Sequence, residues 1–144
     1  MRIVVQRVAN ASVEVESRKV GAINNGLLVL VGFTEGDNKE KIDYCVNKLI
    51  NMRIFDDDSG IMNMSVKDIG GKILSISQFT LYADTAKGNR PSYAKAMKSD
   101  EAVELYKVFN DELRKQIEVE EGIFGAEMMV SLVNDGPITI ILER

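Results

Sequence analysis

The sequence predicts a single domain of mixed α/β class, with mainly antiparallel strands in layered or barrel-like sheets and two main helices. Length and composition are the first observation: 144 residues, 45% of them hydrophobic and 28% charged, suit one globular domain with its own core. The second is that many short segments show the alternation or the β-branched clusters typical of strands. The third is that only two segments show helical periodicity, and one separates two groups of strands, which is unlike a doubly wound sheet.

Four segments at the start of the chain are predicted to be strands: residues 2–8, 12–16, 20–23 and 26–32. In the second, Val13 and Val15 alternate with polar residues, which is typical of a strand with one buried face. The first two are expected to form a hairpin through residues 9–11. The turn Asn24-Asn25-Gly26 leads into the fourth, whose continuous apolar run predicts burial on both faces.

Two helices are predicted from apolar residues at helical spacing. Asp37 is expected to cap the first, with Glu40 completing a capping-box-like pair, and this helix should end near Met52. The second and longer helix begins at Ser99 or Asp100, and its acidic start and basic end suit the helix dipole. Its apolar stripe consists of Ala102, Leu105, Tyr106, Phe109, Leu113 and Ile117.

The remaining segments are predicted to be turns and strands. Residues 56–60 resemble a calcium loop, but Ile61 and Lys67 occupy the positions where an EF-hand needs glycine and glutamate. A polar turn between residues 53–55 and 61–63 is therefore predicted instead. Gly70 and Gly71 form a turn into a β-rich run over residues 72–81, and two last strands, 127–133 and 138–142, flank residues 134–137.

The composition excludes several kinds of catalytic site. The chain has no histidine and one cysteine, which excludes a Ser-His-Asp triad, a Cys-His pair, an intrachain disulfide and a Cys/His zinc site. Cys45 falls on the apolar face of the first predicted helix and is expected in the core. Because no apolar run is long enough for a membrane helix and the amino end lacks a signal-peptide pattern, we expect a cytoplasmic protein.

The charge distribution bears on nucleic-acid binding. A formal net charge of −4 argues against indiscriminate coating of nucleic acid, which needs many neutralised phosphates. Residues 84–98 are nevertheless locally basic, with Lys87, Arg90, Lys95 and Lys98 against Asp84 alone. Both a solvated loop and a phosphate-binding patch fit this segment.

Two short polar segments interrupt these patterns. In Ser77-Gln78-Phe79-Thr80-Leu81 three polar residues fall within a β-rich run, which suits either a strand edge facing solvent or a site. In Asn134-Asp135-Gly136-Pro137-Ile138-Thr139 the Gly-Pro pair permits unusual backbone geometry, because glycine is unrestricted and a prolyl bond adopts the cis form at low cost. On its own, this second segment is equally typical of a simple turn between strands.

Taken together and in this order, the two segments resemble the D-aminoacyl-tRNA deacylase family, formerly called D-tyrosyl-tRNA deacylases. The resemblance covers the whole chain, residues 1–144, as one deacylase domain. It includes Gln6-Arg7-Val8, Gly26-Leu27-Leu28-Val29-Leu30, Gly88-Asn89-Arg90-Pro91-Ser92, and Ser131-Leu132-Val133 directly before the second segment. Tyr93 and Ile138 stand where phenylalanine and valine are common in the family, and neither difference changes the assignment.

The resemblance implies an enzyme that hydrolyses the ester of D-aminoacyl-tRNA to free D-amino acid and tRNA, and that also removes glycine mischarged on tRNA-Ala. It implies a homodimer in which Gly136 and Pro137, joined by a cis bond, reach into the active site of the neighbouring subunit, while Arg7 locks this loop. Main-chain carbonyls held there would accept the amino group of a D-substrate and block an L side chain. Glycine, which lacks Cβ, would escape this filter.

The resemblance also assigns the catalytic groups, namely Ser77, Gln78, Phe79 and Thr80. Main-chain N–H groups around Phe79 and Thr80 would stabilise the oxyanion, and the 2′-hydroxyl of the terminal adenosine would help to activate water. Thr80 has also been considered as a nucleophile. We rank that role below the water mechanism, because no nearby base is evident.

Further residues are assigned to substrate binding by the same resemblance. Phe124, Met128 and Thr139 would line the adenosine pocket, although a purely structural place in the core suits them as well. Lys87 and Arg90 would contact acceptor-stem phosphates. We expect no metal ion and no cofactor.

Two functions from other classes stay open at this point. One is a non-catalytic tRNA-binding or nucleic-acid-binding module, suggested by the basic segment and by the lack of a catalytic base. The other is a small-molecule hydrolase or deaminase of similar size that uses a cleft between subunits.

Overall fold

A computed structural model describes residues 1–144 and contains eight strands, two α-helices and one 3₁₀ helix. The strands before the first helix are β1 (Arg2–Val15), β2 (Arg18–Ile23) and β3 (Gly26–Gly32). Helix α1 (Lys39–Asn51) is followed by β4 (Phe55–Asp56), β5 (Met62–Met64), β6 (Lys72–Ser77) and the 3₁₀ helix (Phe79–Tyr82). The chain ends with α2 (Ser99–Arg114), β7 (Val119–Glu121) and β8 (Met129–Glu143).

Six strands form one mixed sheet in the order β2-β1-β3-β6-β7, with β8 also paired to β1. One edge of β1 pairs with β3 and then with β2, while its other edge pairs with β8 along nearly its whole length. The β3–β6 and β6–β7 pairs are parallel and the others are antiparallel. The sheet is nearly closed into a barrel, which confirms the predicted fold class of a mixed, mainly antiparallel domain with two main helices.

The predicted hairpin through residues 9–11 is wrong, because β1 is one continuous strand. Its ladder to β8 continues through this region with one register shift, between Val8 and Asn10, so a bulge absorbs the irregularity without breaking the strand. The chain reverses instead at Glu16 and Ser17, whose φ angles of 49° and 61° suit the tight turn of a β-hairpin. Strand β2 then returns along β1.

Helix α1 is capped by Asn38 and not by Asp37. The side-chain oxygen of Asn38 accepts a hydrogen bond from the N–H of Lys41 at 3.1 Å. Asp37 turns inward, where its carboxylate accepts a hydrogen bond from the N–H of Thr34 at 2.8 Å and pairs with the α-ammonium of Met1 at 2.6 Å. The helix ends at Asn51, as predicted.

Two apolar clusters lie on opposite faces of the sheet. The larger cluster lies between the sheet and the two helices, and the smaller cluster lies on the inner face of the barrel-like sheet. Successive residues of β3 belong to different clusters, which confirms that this strand is buried on both faces. Cys45 is fully buried in the larger cluster, as predicted. This burial raises the pKa of its thiol. Helix α2 begins at Ser99 as predicted and buries Ala102, Tyr106, Phe109 and Leu113 of its predicted stripe, whereas Ile117 lies beyond the end of the helix at Arg114.

Three predictions about the later strands need correction. The β-rich run over residues 72–81 ends as a strand at Ser77, and the following residues form the 3₁₀ helix. Strand β7 was not predicted. The two last strands are one long strand, β8, which contains Gly136 and Pro137. The polar turn over residues 56–60 is confirmed, since the Asp57 carboxylate accepts hydrogen bonds from the N–H groups of Ser59 and Ile61. No helix has the length and apolar character to cross a bilayer.

Candidate active site

The carboxyl end of β6 is where the polar segment from Ser77 begins. The N–H of Gln78 still donates to the carbonyl of Val31 at 2.7 Å, which is the last contact of this type between the two strands. The backbone then turns into the 3₁₀ helix, in which Leu81 and Ala83 donate to the carbonyls of Gln78 and Thr80. None of the turn or side-chain hydrogen bonds uses the N–H of Phe79 or Thr80, as expected for the first residues of a helix.

Gly32, the last residue of β3, allows this turn to lie against the sheet. A Cβ atom at position 32 would lie 2.9 Å from the carbonyl oxygen of Gln78 and 3.2 Å from the Cβ of Leu81. Such a distance to a main-chain atom is too short for any side chain. The path of the main chain at Phe79 and Thr80 therefore depends on this glycine, which the sequence indicated only as the end of a strand.

A cavity of about 530 Å³ opens beside this turn, and we name it the Ser77 cavity. Its walls are mostly apolar and come from β3, β6, the segment before α2, the start of α2, and residues 124–130. The polar residues of the lining are Ser77, Gln78, Tyr93 and Ser99. Tyr93 is the single lining residue with an ionisable side chain, so the cavity of one protomer offers no carboxylate, imidazole or amine for acid–base catalysis.

Aromatic contacts hold two walls of the Ser77 cavity. Phe79 and Tyr93 pack edge to face with ring centroids 5.1 Å apart at the exposed rim. On the inner side Phe124 packs against Tyr106 at 5.8 Å, and the Tyr106 hydroxyl donates a hydrogen bond to the carbonyl of Ser75 at 2.9 Å. Burial raises the pKa of Tyr106. The sequence pattern identified Tyr106 as a core residue and gave no sign of this contact with β6.

The structure brings five of the predicted site residues together in this lining: Ser77, Gln78, Phe79, Phe124 and Met128. Thr80 lies next to them, and its hydroxyl oxygen accepts a hydrogen bond from the side-chain nitrogen of Gln78. No basic group contacts this hydroxyl, and the role of Thr80 stays a prediction.

The second predicted segment forms a bulge in β8. Val8 pairs with Asn134 and Gln6 with Thr139, so residues 135–138 stand opposite Arg7 alone. The Gly136–Pro137 peptide bond is cis, and Gly136 has a φ of 116°. We name residues 135–138 the Gly136 bulge. The side-chain amide of Asn134 closes its base by donating to the carbonyls of Arg7 and Ile138, both at 2.9 Å.

Arg7 is 7% exposed and lies beneath the Gly136 bulge. Its Nε lies 3.0 Å from the carboxylate of Asp135, a charge contact in which the N–H is not aligned for a hydrogen bond. Its Nη1 donates to the carbonyl of Ile54 at 2.8 Å and lies 3.6 Å from the carboxylate of Asp56. The buried Arg7 guanidinium thus joins the bulge to the β4–β5 hairpin. The sequence did not indicate that Asp135 and Asp56 take part in this contact.

Within one protomer the Gly136 bulge lies away from the Ser77 cavity. Val130 of β8 lines the cavity, and Gly136 follows six residues later, which is about 20 Å along an extended strand. Thr139 is not part of the cavity lining either. Its hydroxyl accepts a hydrogen bond from the Gln6 side chain at 3.2 Å. Lys87 and Arg90 are exposed, form no ion pair and stand outside the lining.

The chain matches known proteins over nearly its whole length. The family model described as D-Tyr-tRNA(Tyr) deacylase matches residues 4–143. A solved structure named c-Myc DNA Unwinding Element Binding Protein is 41% identical with a TM-score of 0.95, covering 100% of this chain and 99% of that one. Another, a probable eukaryotic D-amino acid tRNA deacylase, shares the fold with a TM-score of 0.84 at 18% identity, covering 98% and 97%.

Fold, site and family match together define the class of the protein as a hydrolase that acts on aminoacyl-tRNA. The chain belongs to the D-Tyr-tRNA(Tyr) deacylase family, which confirms the resemblance seen in its motifs. Its activity is therefore that of a D-aminoacyl-tRNA deacylase, an ester hydrolase.

Proposed function

We propose that this protein proofreads tRNA by stereochemical exclusion, releasing D-amino acids and also glycine mischarged on tRNA-Ala while sparing L-aminoacyl-tRNA. The observation that supports this most is the division of the site into two parts. An uncharged cavity bordered by the 3₁₀ turn lies at one end of β8, and a rigidly anchored Gly-Pro bulge lies about 20 Å further along it.

Catalysis is proposed to depend on water and main-chain groups. The ester between an amino acid and ribose is already activated, so positioning and oxyanion stabilisation can suffice. Water attacks the carbonyl carbon, the N–H groups of Phe79 and Thr80 stabilise the developing oxyanion, and the bond to the ribose oxygen breaks as that oxygen takes up a proton. The 2′-hydroxyl of the adenosine helps to activate the water, and Ser77 and Gln78 orient the ester.

Chiral selection is proposed to come from the Gly136 bulge of a second copy of the chain. Its main-chain carbonyls would accept hydrogen bonds from the amino group of a D-substrate, and the same rigid backbone would collide with an L side chain. The Arg7–Asp135 ion pair and the Asn134 side-chain bonds supply the rigidity. Phe124 and Met128 would hold the adenosine, and Thr139 would reach that pocket only from the second copy.

Strand β8 supports the proposal of a homodimer. It pairs with β1 on one edge only, so its other edge is open along 15 residues. Its outer face exposes Met129, Val133 and Ile141, whose exposed fractions are 74%, 52% and 64%. A long open edge with an apolar stripe is typically covered by another part of the structure. A two-fold axis would place β8 of a second copy of the chain against β8 of the first. Lys87 and Arg90 would then contact tRNA phosphates, and the protein would act in the cytoplasm.

A non-catalytic nucleic-acid-binding module remains the second candidate, favoured by the exposed, unpaired Lys87 and Arg90 and by the name of the 41% identical relative. Salt-dependent tRNA binding without ester cleavage would support the second candidate and contradict our proposal.

The chiral proposal is tested with D-tyrosyl-tRNA and L-tyrosyl-tRNA measured in parallel. We expect rapid release of D-tyrosine and little release of L-tyrosine, and equal or absent release of both contradicts the proposal. Thr80→Ala should retain activity within about ten-fold, because the main-chain donor stays in place. A Thr80→Ala protein that binds substrate normally but is inert would overturn the water mechanism.

The cross-subunit arrangement is tested by mixing two defective variants. Gly32→Ala should disable the Ser77 cavity, and Gly136→Ala should disable the bulge because alanine rarely adopts a φ of 116°. Co-expression gives a heterodimer in which one site has both parts intact, so selective release of D-tyrosine should return. If each variant is impaired alone and the mixed dimer gains nothing, the two parts do not meet across subunits.

A further inference from the structure

A second concave surface borders the Ser77 cavity, and the mechanism described above does not use it. It has a volume of about 990 Å³ and lies on the other side of the segment before α2. We name it the Asp84 groove. Ala96 and Met97 belong to both linings, so the two concave surfaces are separated by a single stretch of main chain.

The floor of the Asp84 groove is fixed by hydrogen bonds. The hydroxyl of Thr34 donates to the carbonyl of Lys95 at 2.6 Å, and the N–H of Met97 donates to the carbonyl of Phe33 at 2.9 Å. Asp84 and Ser92 exchange two main-chain bonds at 2.8 and 2.9 Å. The groove is therefore shaped before any ligand binds, which lowers the entropic cost of binding.

The charged lining of the groove is mixed and partly unpaired. Asp84 pairs with Lys95 at 2.9 Å, whereas Lys98, Glu35 and Glu101 form no ion pair. A free ammonium group suits a phosphate, and free carboxylates suit an exocyclic amino group such as that of cytosine. Small alanine and threonine side chains form much of the remaining surface and leave room for a nucleotide.

We propose that the Asp84 groove binds the cytidine that precedes the terminal adenosine of tRNA, with its phosphate on Lys98 and its amino group on Glu35 and Glu101. This inference rests on the proposed function, in which the terminal adenosine occupies the Ser77 cavity. Every tRNA ends in unpaired cytidine, cytidine and adenosine, and one phosphate joins the last two. The preceding nucleotide must therefore lie on a surface that borders the cavity, and the groove supplies such a surface.

The test compares three small esters: D-tyrosyl adenosine, D-tyrosyl cytidylyl-adenosine and D-tyrosyl uridylyl-adenosine. We expect kcat/KM for the cytidylyl ester to exceed that of the adenosine ester by about ten-fold or more, since charge-assisted hydrogen bonds typically give this. The uridylyl ester should fall between the two, because uracil lacks the amino group. Equal values for all three esters overturn the proposal.

Two lysine variants separate groove binding from general charge. Lys98→Ala should remove most of the advantage of the cytidylyl ester. Lys107→Ala, which removes an exposed and unpaired lysine of α2 outside both linings, should preserve that advantage. If Lys98→Ala lowers the rates for both esters by the same factor, the groove does not hold the second nucleotide.

The outcome also distinguishes this inference from the proposed function. Hydrolysis of all three esters at one rate would overturn the subsite and leave the deacylase proposal intact. Failure to hydrolyse D-tyrosyl-tRNA itself would overturn both. If only full-length tRNA is cleaved, a D-tyrosyl-tRNA with an abasic nucleotide before the terminal adenosine replaces the small esters, and a rate equal to that of normal tRNA overturns the subsite.

Discussion

The Ser77 cavity is an uncharged recess whose walls come from several elements, whereas the Gly136 bulge is exposed and depends on one buried charge. In the cavity, close contact of main chains places two N–H groups, and Gly32 is the residue that permits it. In the bulge, Arg7 and Asn134 fix the direction of main-chain groups by charge and hydrogen bonds. Under the proposed function, bond cleavage and chiral selection are then separate tasks, each sensitive to its own kind of substitution.

The largest effect is expected from Gly32→Ala, which alters the turn beside the Ser77 cavity and leaves the Gly136 bulge unchanged. The added Cβ would lie 2.9 Å from the carbonyl oxygen of Gln78 and displace the turn that holds the proposed oxyanion donors. We expect kcat to fall about 100-fold with little change in KM, as when an oxyanion donor is lost. Steady-state kinetics with D-tyrosyl-tRNA measures this.

Gly21→Ala is the matched control, because its Cβ would lie 3.1 Å from the carbonyl oxygen of Glu121, away from the turn. Its kcat should stay within about three-fold of the original, since no donor moves. An equal loss in both variants would assign the effect to the sheet as a whole and not to the turn.

The second effect concerns the bulge side, through Arg7→Ala. Loss of the guanidinium leaves Asp135 without its partner and Ile54 without its donor. The free energy of unfolding should fall by about 2 kcal/mol, less than for a fully buried pair because Asp135 and Asp56 are half exposed. The ratio of D- to L-tyrosyl-tRNA cleavage should fall about ten-fold, while cleavage of the D-substrate changes less.

Urea unfolding and the two-substrate assay measure both quantities. Arg18→Ala is the control, because Arg18 is exposed and pairs only with the exposed Glu16. It should cost less than about 0.5 kcal/mol and keep the chiral ratio. An Arg7→Ala protein with unchanged selectivity would show that the bulge needs no charged anchor.

A smaller effect is expected from the double variant Lys87→Ala with Arg90→Ala, which leaves both parts of the site intact. KM for D-tyrosyl-tRNA should rise about ten-fold with kcat preserved, and its salt dependence should weaken, because two phosphate contacts are lost. Titration of KM against salt concentration measures this. Loss of two exposed lysines elsewhere, Lys67 and Lys107, should have little effect, and a similar rise in KM would point to net charge alone.

The smallest effect concerns pH and the tyrosines packed near the cavity. Burial raises the pKa of Tyr106, and it raises the pKa of Tyr82 to about 12. In the unfolded chain both phenols ionise above about pH 10, so their contribution to the free energy of unfolding should be constant below that value and fall as pH rises further. Urea unfolding across this range should show a flatter decline in Tyr106→Phe than in Tyr44→Phe, whose ring is exposed. Identical slopes would contradict this.

The sequence predicted those parts of the fold that local patterns determine. The buried strand β3 follows from its continuous apolar run, and both helices follow from apolar residues at helical spacing. The continuity of β1 and β8 could not be predicted, because long-range pairing between the two strands carries each through a polar interruption. The exchange of Asp37 for Asn38 as the cap has a similar origin, since Met1 and Thr34 attract the Asp37 carboxylate.

The candidate site was predictable as far as motifs carry it. The segment from Ser77 and the pair Gly136-Pro137 stand out as polar or conformationally unusual within apolar surroundings. The Arg7–Asp135 contact joins two residues that are far apart in sequence. The Tyr106 hydroxyl donates a hydrogen bond to the Ser75 carbonyl, but in the sequence Tyr106 reads only as part of the apolar stripe of a helix. No local pattern distinguishes such residues from ordinary surface or core positions.

The near absence of titratable groups from the Ser77 cavity has a consequence for the order in which substrates are cleared. Under the proposed mechanism the cavity supplies no carboxylate, imidazole or amine, so the timing of proton transfer is left to solvent and to the substrate. Each ester should then be lost at a pace governed by its intrinsic lability, whatever side chain it carries. Such a catalyst would discriminate between substrates by the chirality of the amino acid and by the lability of the ester bond. One enzyme could therefore act on esters of many amino acids.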